Sequence, residues 1–353
     1  MKLTLNSKKL LSALNLCAKA ISQNNIVPSA SCYRLKTIET GLEISACNTE
    51  ISMQTELSGT FDVVDVLIPA EKIKNLLSSL PDQGLLFDIA DDFEITITAL
   101  SGQYTMSGYS GKDFPVIKVE TDTSVTIAAE DISEAVYATS FARSTDQAQL
   151  RFTGLSLTFE KDRLIFAGCN LLLLSVFNIK GKFKPGQILL APAIVSALPE
   201  LTGDCKMSYS KNSICFEYGN LTIKSLLMDE KFPDFMAIVP KNETKITVNR
   251  TETISAIKRV LEFSNKVSKQ VTLSGSMTIS GEDTAYKQKA SERVTADGGE
   301  VEIGVNGGYL SESLAHFSSE MVDINYQSFD KPIVINEPGD SENFVMIMAM
   351  VQN

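Results

Sequence analysis

The chain has 353 residues, which at about 150 residues per domain allows two or three domains and a substantial core. Hydrophobic residues make up 44%, charged residues 21% and aromatics 7%, a balance that excludes a disordered tail or a disulfide-stapled peptide. A formal net charge of -11 excludes a protein that coats itself broadly with nucleic acid, because phosphates need local positive potential.

That charge is uneven. Residues 1–38 carry Lys2, Lys8, Lys9, Lys19, Arg34 and Lys36 and no acid. No run approaches about 18 apolar residues, and the opening MKLTLNSKKLLSAL enters an amphipathic pattern directly, so neither export nor a membrane anchor is expected. The six cysteines (Cys17, Cys32, Cys47, Cys169, Cys205, Cys215) form no CxxC pair and share the chain with one histidine, His316. Reduced thiols in a cytoplasmic protein are the expectation.

Along the chain, Ser7 is expected to cap a helix with Leu10, Leu14, Cys17 and Ile21 on one face and Lys8, Ser12, Asn15 and Lys19 on the other. LEISACNTEISMQTELSG, from Leu42, alternates, breaks at a small polar cluster and resumes, which predicts two strands and a tight turn. VLIPAEKIKNLLSSL, ending at Leu80, predicts a strand running into a helix. Asp91 and Asp92 in FDIADDFEIT suit a hairpin turn better than a metal pair. KDFPVI (Lys112–Ile117) reads as an extended connector.

The series then restarts twice. A helix over Glu130–Phe141 precedes LIFAGCNLLLLSVFNIKG from Leu164, ILLAPAIVSALPEL ending at Leu201, and the connector KFPDFMAIVP (Lys231–Pro240). A helix over Thr251–Phe263, with Ile254, Ile257 and Leu261 inward, precedes MTISGEDTAYKQKASERV from Met277 and EIGVNGGYLSESLAHF ending at Phe317. Solenoid periods of about 20–50 residues are far shorter, so the pattern predicts a domain triplicated whole, each copy two βαβββ halves. The expected class is α+β.

Catalytic chemistry is scarce. His316, near the end of an amphipathic helix, reads as a helix C-terminal residue rather than a general base. Gly298, Gly299, Gly307 and Gly308 fit no phosphate-loop motif and read as turn and helix-start glycines. Lys180, Lys182 and Lys184 form a basic loop that suits phosphates or plain solvation. The run Leu171–Leu174 suits an exposed docking surface, and a strand buried on both faces gives the same string.

The opening MKLTLNSKKLLSAL, KDFPVI, SLLMDEKFPDFMAIVPKN, EIGVNGGYLSESL and FVMIMAM, in this order, resemble the bacterial DNA polymerase sliding-clamp family, the beta subunits of DNA polymerase III, over essentially the whole chain. The resemblance implies the DNA clamp fold: three domains, at 1–120, 121–243 and 244–353, each with two helices packed on β-sheets, and a ring closed by two chains. It implies a non-catalytic homodimer that encircles duplex DNA and tethers a DNA polymerase, with no cofactor, metal or membrane. Lys8, Lys19, Asn24, Lys72, Lys258 and Arg259 would face DNA, Asn24 standing where the family commonly has a basic residue.

Polymerase and clamp loader would insert a short apolar peptide into a pocket of Phe152, Leu171, Leu172, Leu173, Pro233, Ala237, Ile238, Asn306, Tyr309, Met346, Met348, Ala349 and Met350. Tyr104 and Met106 on one side and Phe263 on the other would close the dimer. The chain departs from the family's usual ATDGHRLA, reading AGCNLLLL over Ala167–Leu174. Ala237 replaces a usual basic residue and Ala349 a common proline, which favours an apolar groove. The rival readings are a clamp-like scaffold without DNA function and a hydrolase using carboxylates.

Overall fold

The computed structural model describes residues 1–22, 28–198, 203–242 and 244–350. The first repeat runs β1 (Lys2–Asn6), α1 (Ser7–Cys17), β2 (Cys32–Ile38), β3 (Gly41–Cys47), β4 (Ile51–Ser58), then β5 (Asp65–Pro69), α2 (Ala70–Ser79), β6 (Gly84–Ile89), β7 (Glu94–Ala99), β8 (Gly102–Ser107) and the short β9 (Tyr109–Ser110). The second runs β10 (Thr123–Ala128), α3 (Ala129–Ser140), α4 (Leu150–Thr153), β11 (Leu155–Phe159), β12 (Arg163–Cys169), β13 (Leu173–Lys180), then β14 (Gly186–Leu190), α5 (Pro192–Ala197), β15 (Asp204–Tyr209), β16 (Ser213–Tyr218) and β17 (Leu221–Leu226).

The third runs β18 (Thr244–Asn249), α6 (Arg250–Leu261), β19 (Gln270–Gly275), β20 (Thr278–Asp283), β21 (Gln288–Arg293), β22 (Ala296–Gly298), then β23 (Val301–Asn306), α7 (Gly307–Ala315), β24 (Met321–Tyr326), β25 (Ile333–Asn336) and β26 (Phe344–Ile347). Each repeat therefore shows the βαβββ pattern twice, as the periodicity predicts.

Local chemistry explains these elements. Asn48 and Asn170 turn the hairpins of the first two repeats: each side-chain oxygen accepts two backbone N–H groups, from Glu50 and Ile51 at 2.8 and 2.9 Å and from Leu172 and Leu173 at 3.1 and 2.9 Å. Three helix starts use the same residue type. Asn6 caps α1, accepting from the Lys8 and Lys9 amides, while Asn249 caps α6 and Asn306 caps α7.

The expected cap, Ser7, is instead the first helical residue and is buried. Its hydroxyl donates to the Pro81 carbonyl at 2.8 Å and accepts from the Gln83 amide at 3.0 Å. Asn6 takes the cap because its extended backbone (φ -79°, ψ 131°) aims its side chain at the first-turn amides.

The residues divide into two compact units, Met1–Ser133 with Leu190–Met228, and Glu134–Leu189 with Asp229–Asn353. Unit one holds a four-stranded sheet, β1-β6-β7-β8, and a nine-stranded sheet, β10-β15-β16-β17-β4-β3-β2-β5-β9. Unit two holds a nine-stranded sheet, β14-β11-β12-β13-β26-β25-β24-β18-β22, and a four-stranded sheet, β21-β20-β19-β23. Three sequence repeats give two units because strands of the central repeat extend sheets of both others. β17 pairs with β4 from Thr222↔Gln54 to Ser225↔Ile51, and β13 with β26 from Leu173↔Ile347 to Val176↔Phe344.

Helices cover the sheets through their apolar faces. Leu10, Ala13, Leu14 and Cys17 of α1 are buried, and α1 packs on α2, β3 and β4. In unit two, Ala256, Ile257 and Val260 of α6 join Leu310 and Leu314 of α7 in a core with Val271, Ile279, Ile303 and Val322. Ile254 and Leu261, expected inside, lie at its margin.

Candidate functional site

The first group is cationic. Lys8, Lys9, Ser12, Asn15 and Lys19 are all exposed, which puts lysines on the face of α1 and the following turn opposite the buried leucines. Lys72 of α2 and Lys258 of α6 are exposed as well. Among the described residues, Lys8, Lys19, Lys72 and Lys258 form no ion pair.

Arg259 differs. Its guanidinium forks onto Glu292 through Nε–Oε1 at 2.8 Å and Nη2–Oε2 at 2.6 Å, and that pairing holds the Glu292 carboxyl below its usual range. A bidentate carboxylate partner shares its charge, which sets it apart from the four lysines. Asn24 lies outside the described residues.

The second group surrounds the four-leucine run. Leu171 and Leu172 stand exposed at the β12–β13 turn, at 52% and 53%, whereas Leu173 is buried at 1%. Met346 is buried at 2%. Leu173 pairs with Ile347 and Leu174 with Met346, so Leu173 and Met346 point to opposite faces of a sheet that is buried on both sides here and neither reaches the surface. Leu171 adopts φ 76°, a left-handed conformation that costs a non-glycine residue about 1–2 kcal/mol.

The segment after β26 then runs past this turn. The Met348 amide donates to the Leu172 carbonyl at 2.9 Å, Val305 bridges to Ala349, and the Met350 amide donates to the Gly304 carbonyl at 2.8 Å. These bonds join Leu172, Met348, Ala349 and Met350 to the end of β23 in one strip, and Tyr309 and Ala349 pack on the same core cluster. Asn306 is committed as a cap, its amide also donating to the Ser268 carbonyl at 3.1 Å.

The remaining expected pocket residues, Phe152, Pro233, Ala237 and Ile238, also belong to unit two. Phe152 sits edge-on to the buried Phe232 ring at 5.9 Å, and Phe232 in turn meets Phe235 at 6.0 Å. Pro233, Ala237 and Ile238 are exposed on the segment that Phe232 and Phe235 anchor. Met236, 48% exposed beside Ile238, was not singled out by the sequence; its place between anchored phenylalanines and Pro240 was the available signal.

The third group lies on sheet edges. β8, carrying Tyr104 and Met106, is an outer strand of one four-stranded sheet, and β21 is an outer strand of the other. Tyr104 is half-buried and Met106 is buried at 8%. Phe263, just after α6, is 47% exposed, and Val267 nearby is 92% exposed.

Groups for chemistry are few. Burial pushes the Cys17 thiol up to about 12 and the Cys32 and Cys205 thiols to about 11, which leaves little thiolate at neutral pH. Among the described residues, no three His, Cys, Asp or Glu side chains stand close enough to hold a metal. No described helix is long and apolar enough to cross a membrane.

Three family models match in succession: the DNA polymerase III beta subunit N-terminal domain over residues 1–118, its central domain over 126–234 and its C-terminal domain over 236–351. The chain belongs to the DNA polymerase III beta subunit family. It is a sliding clamp by family and by curated likeness. The "Beta sliding clamp" of Staphylococcus aureus is 22% identical over 99% of each chain. A Pseudomonas aeruginosa sliding clamp, solved with griselimycin, matches the fold with a TM-score of 0.94 at 20% identity, and that of Bacillus subtilis with 0.91 at 17%, each over 100% of both chains.

Proposed function

We propose that two copies of this chain close head to tail into a ring of six domains, at 1–120, 121–243 and 244–353 in each, which encircles duplex DNA without catalysing a reaction. The observation that carries this reading is the unbroken succession of three beta-subunit domains along one chain. Exposed Lys8, Lys19, Lys72 and Lys258 support it electrostatically: a few unpaired lysines hold a loose phosphate contact, while a net charge of -11 repels DNA elsewhere. Tight pairing would oppose sliding, so sparse contacts suit the task. The polymerase and the clamp loader dock through a short apolar peptide on the strip of Leu171, Leu172 and Met348.

The test separates topology from affinity. Loaded by a bacterial clamp loader onto nicked circular DNA, the protein is expected to survive a salt wash that strips it from open linear duplex, and cutting the circle releases it. Plain electrostatic binding loses affinity with a log–log salt slope of about -0.9 per neutralised phosphate on any duplex. Equal, salt-governed retention on circles and linear DNA overturns encirclement.

A further inference from the structure

Unit two contains a cavity of about 400 Å³ that none of the groups above uses. Four segments close it: α3 through Glu134 and Tyr137, β13, the end of α7 through His316 and Phe317, and the stretch before β26 through Glu337 and Asp340. The volume falls within the usual range for a small ligand.

Its lining is aromatic and anionic at once. The His316 ring stacks on Phe141 with centroids 3.9 Å apart and planes 8° apart, and lies 4.4 Å from the Tyr137 ring. Three carboxylates line the same space, and no lysine or arginine does among its described lining residues. Glu337 is fixed in place: its Oε1 accepts from the Ser318 amide at 2.8 Å, the Ser318 hydroxyl at 3.1 Å and the Ser319 amide at 2.8 Å. Asp340 is fixed as well, accepting from the Glu342 and Asn343 amides. Burial holds His316 below the usual histidine range, so at neutral pH it presents a ring and no repelling charge.

We propose that this cavity binds a small organic cation with a flat apolar body, its amidinium or guanidinium head at the Glu337 side and its body against the Tyr137 and His316 rings. Fixed carboxylates favour a cation without reorganising, and aromatic faces add a cation–π attraction. An anion of the same shape meets three carboxylates and is excluded. The inference does not depend on the clamp reading, since it concerns a cavity inside one unit.

Benzamidine is the probe, with benzyl alcohol and benzoate as neutral and anionic controls of similar size. Calorimetric titration of the whole protein is expected to show saturable benzamidine binding, with a rise in unfolding temperature on saturation. Both controls are expected to bind at least about tenfold more weakly, the loss of one charge-assisted hydrogen bond. Glu337→Gln keeps the oxygen that serves Ser318, and Tyr137→Ala removes a partly exposed ring; each is expected to weaken benzamidine about tenfold. Absence of saturable binding, equal binding of benzoate, or wild-type affinity in both folded variants overturns the proposal.

Discussion

His316 lies flat on the Phe141 ring and is half-buried, and its Nδ1 has no hydrogen-bond partner among the described residues. Desolvation by that packing lowers its pKa, while a hydrogen bond involving the Tyr137 backbone works the other way. The unfolded chain therefore takes up the proton first, so stability is full above the unfolded histidine value of about 6.5 and falls as pH drops below it. Denaturant melts from pH 7.5 to 5.5 are expected to show this slope, and His316→Phe, which keeps the stack and cannot titrate, to remove His316's share of it. Leu171 carries a different local cost, its positive φ of 76°. Leu171→Gly is expected to raise stability by about 0.5–1 kcal/mol, left-handed strain relieved less the added freedom of the unfolded glycine, as measured by urea midpoint. Unchanged or lowered stability would show the turn unstrained.

At the scale of elements, the β12–β13 turn and the segment after β26 present one apolar strip, with Leu171, Leu172 and Met348 at 52%, 53% and 37% exposure. A partner peptide held there is expected to bind by desolvation, so its affinity changes little between low and moderate salt. Leu172→Asp and Met348→Asp each put an unpaired charge into that contact and are expected to weaken a clamp-binding peptide by about tenfold or more, as read by fluorescence anisotropy. Wild-type affinity in both folded variants would move docking off this strip. Gly168 shows why the run before the turn is tightly specified: a Cβ there collides with the Thr139 carbonyl of α3, so only glycine lets β12 approach that helix.

At the scale of the whole molecule, the four-stranded sheets end in β8 and β21, outer strands with backbone groups free to pair. Phe263 and Val267, in unit two, stay exposed. Closure of two chains through these edges is expected to give about twice the chain mass by light scattering at micromolar concentration, and Phe263→Asp to shift the mass toward monomer by burying an unpaired charge. A wild-type monomer at every concentration would overturn closure.

Much of this was legible in the chain. Period-two alternation, Asn and Gly at turns and the apolar stripe of α1 are local signals, each carried by residues a few positions apart, and they specify strands, hairpins and helices without reference to the rest of the fold. The triplication follows from the recurrence of those signals, and so do the lysines opposite the α1 stripe.

What lay beyond the sequence depends on partners far along the chain. Whether a leucine of the run 171–174 faces solvent or core is set by the pairing of β13 with β26, some 170 positions away in sequence. Arg259 reads as a free cation until Glu292 is brought to it, and Ser7 as a cap until Pro81 and Gln83 claim its hydroxyl. Three repeats become two units because the edge strands of the central repeat satisfy their backbone groups on both neighbouring sheets. Periodicity records which face of an element is apolar, but only long-range pairing decides what that face and its edges meet.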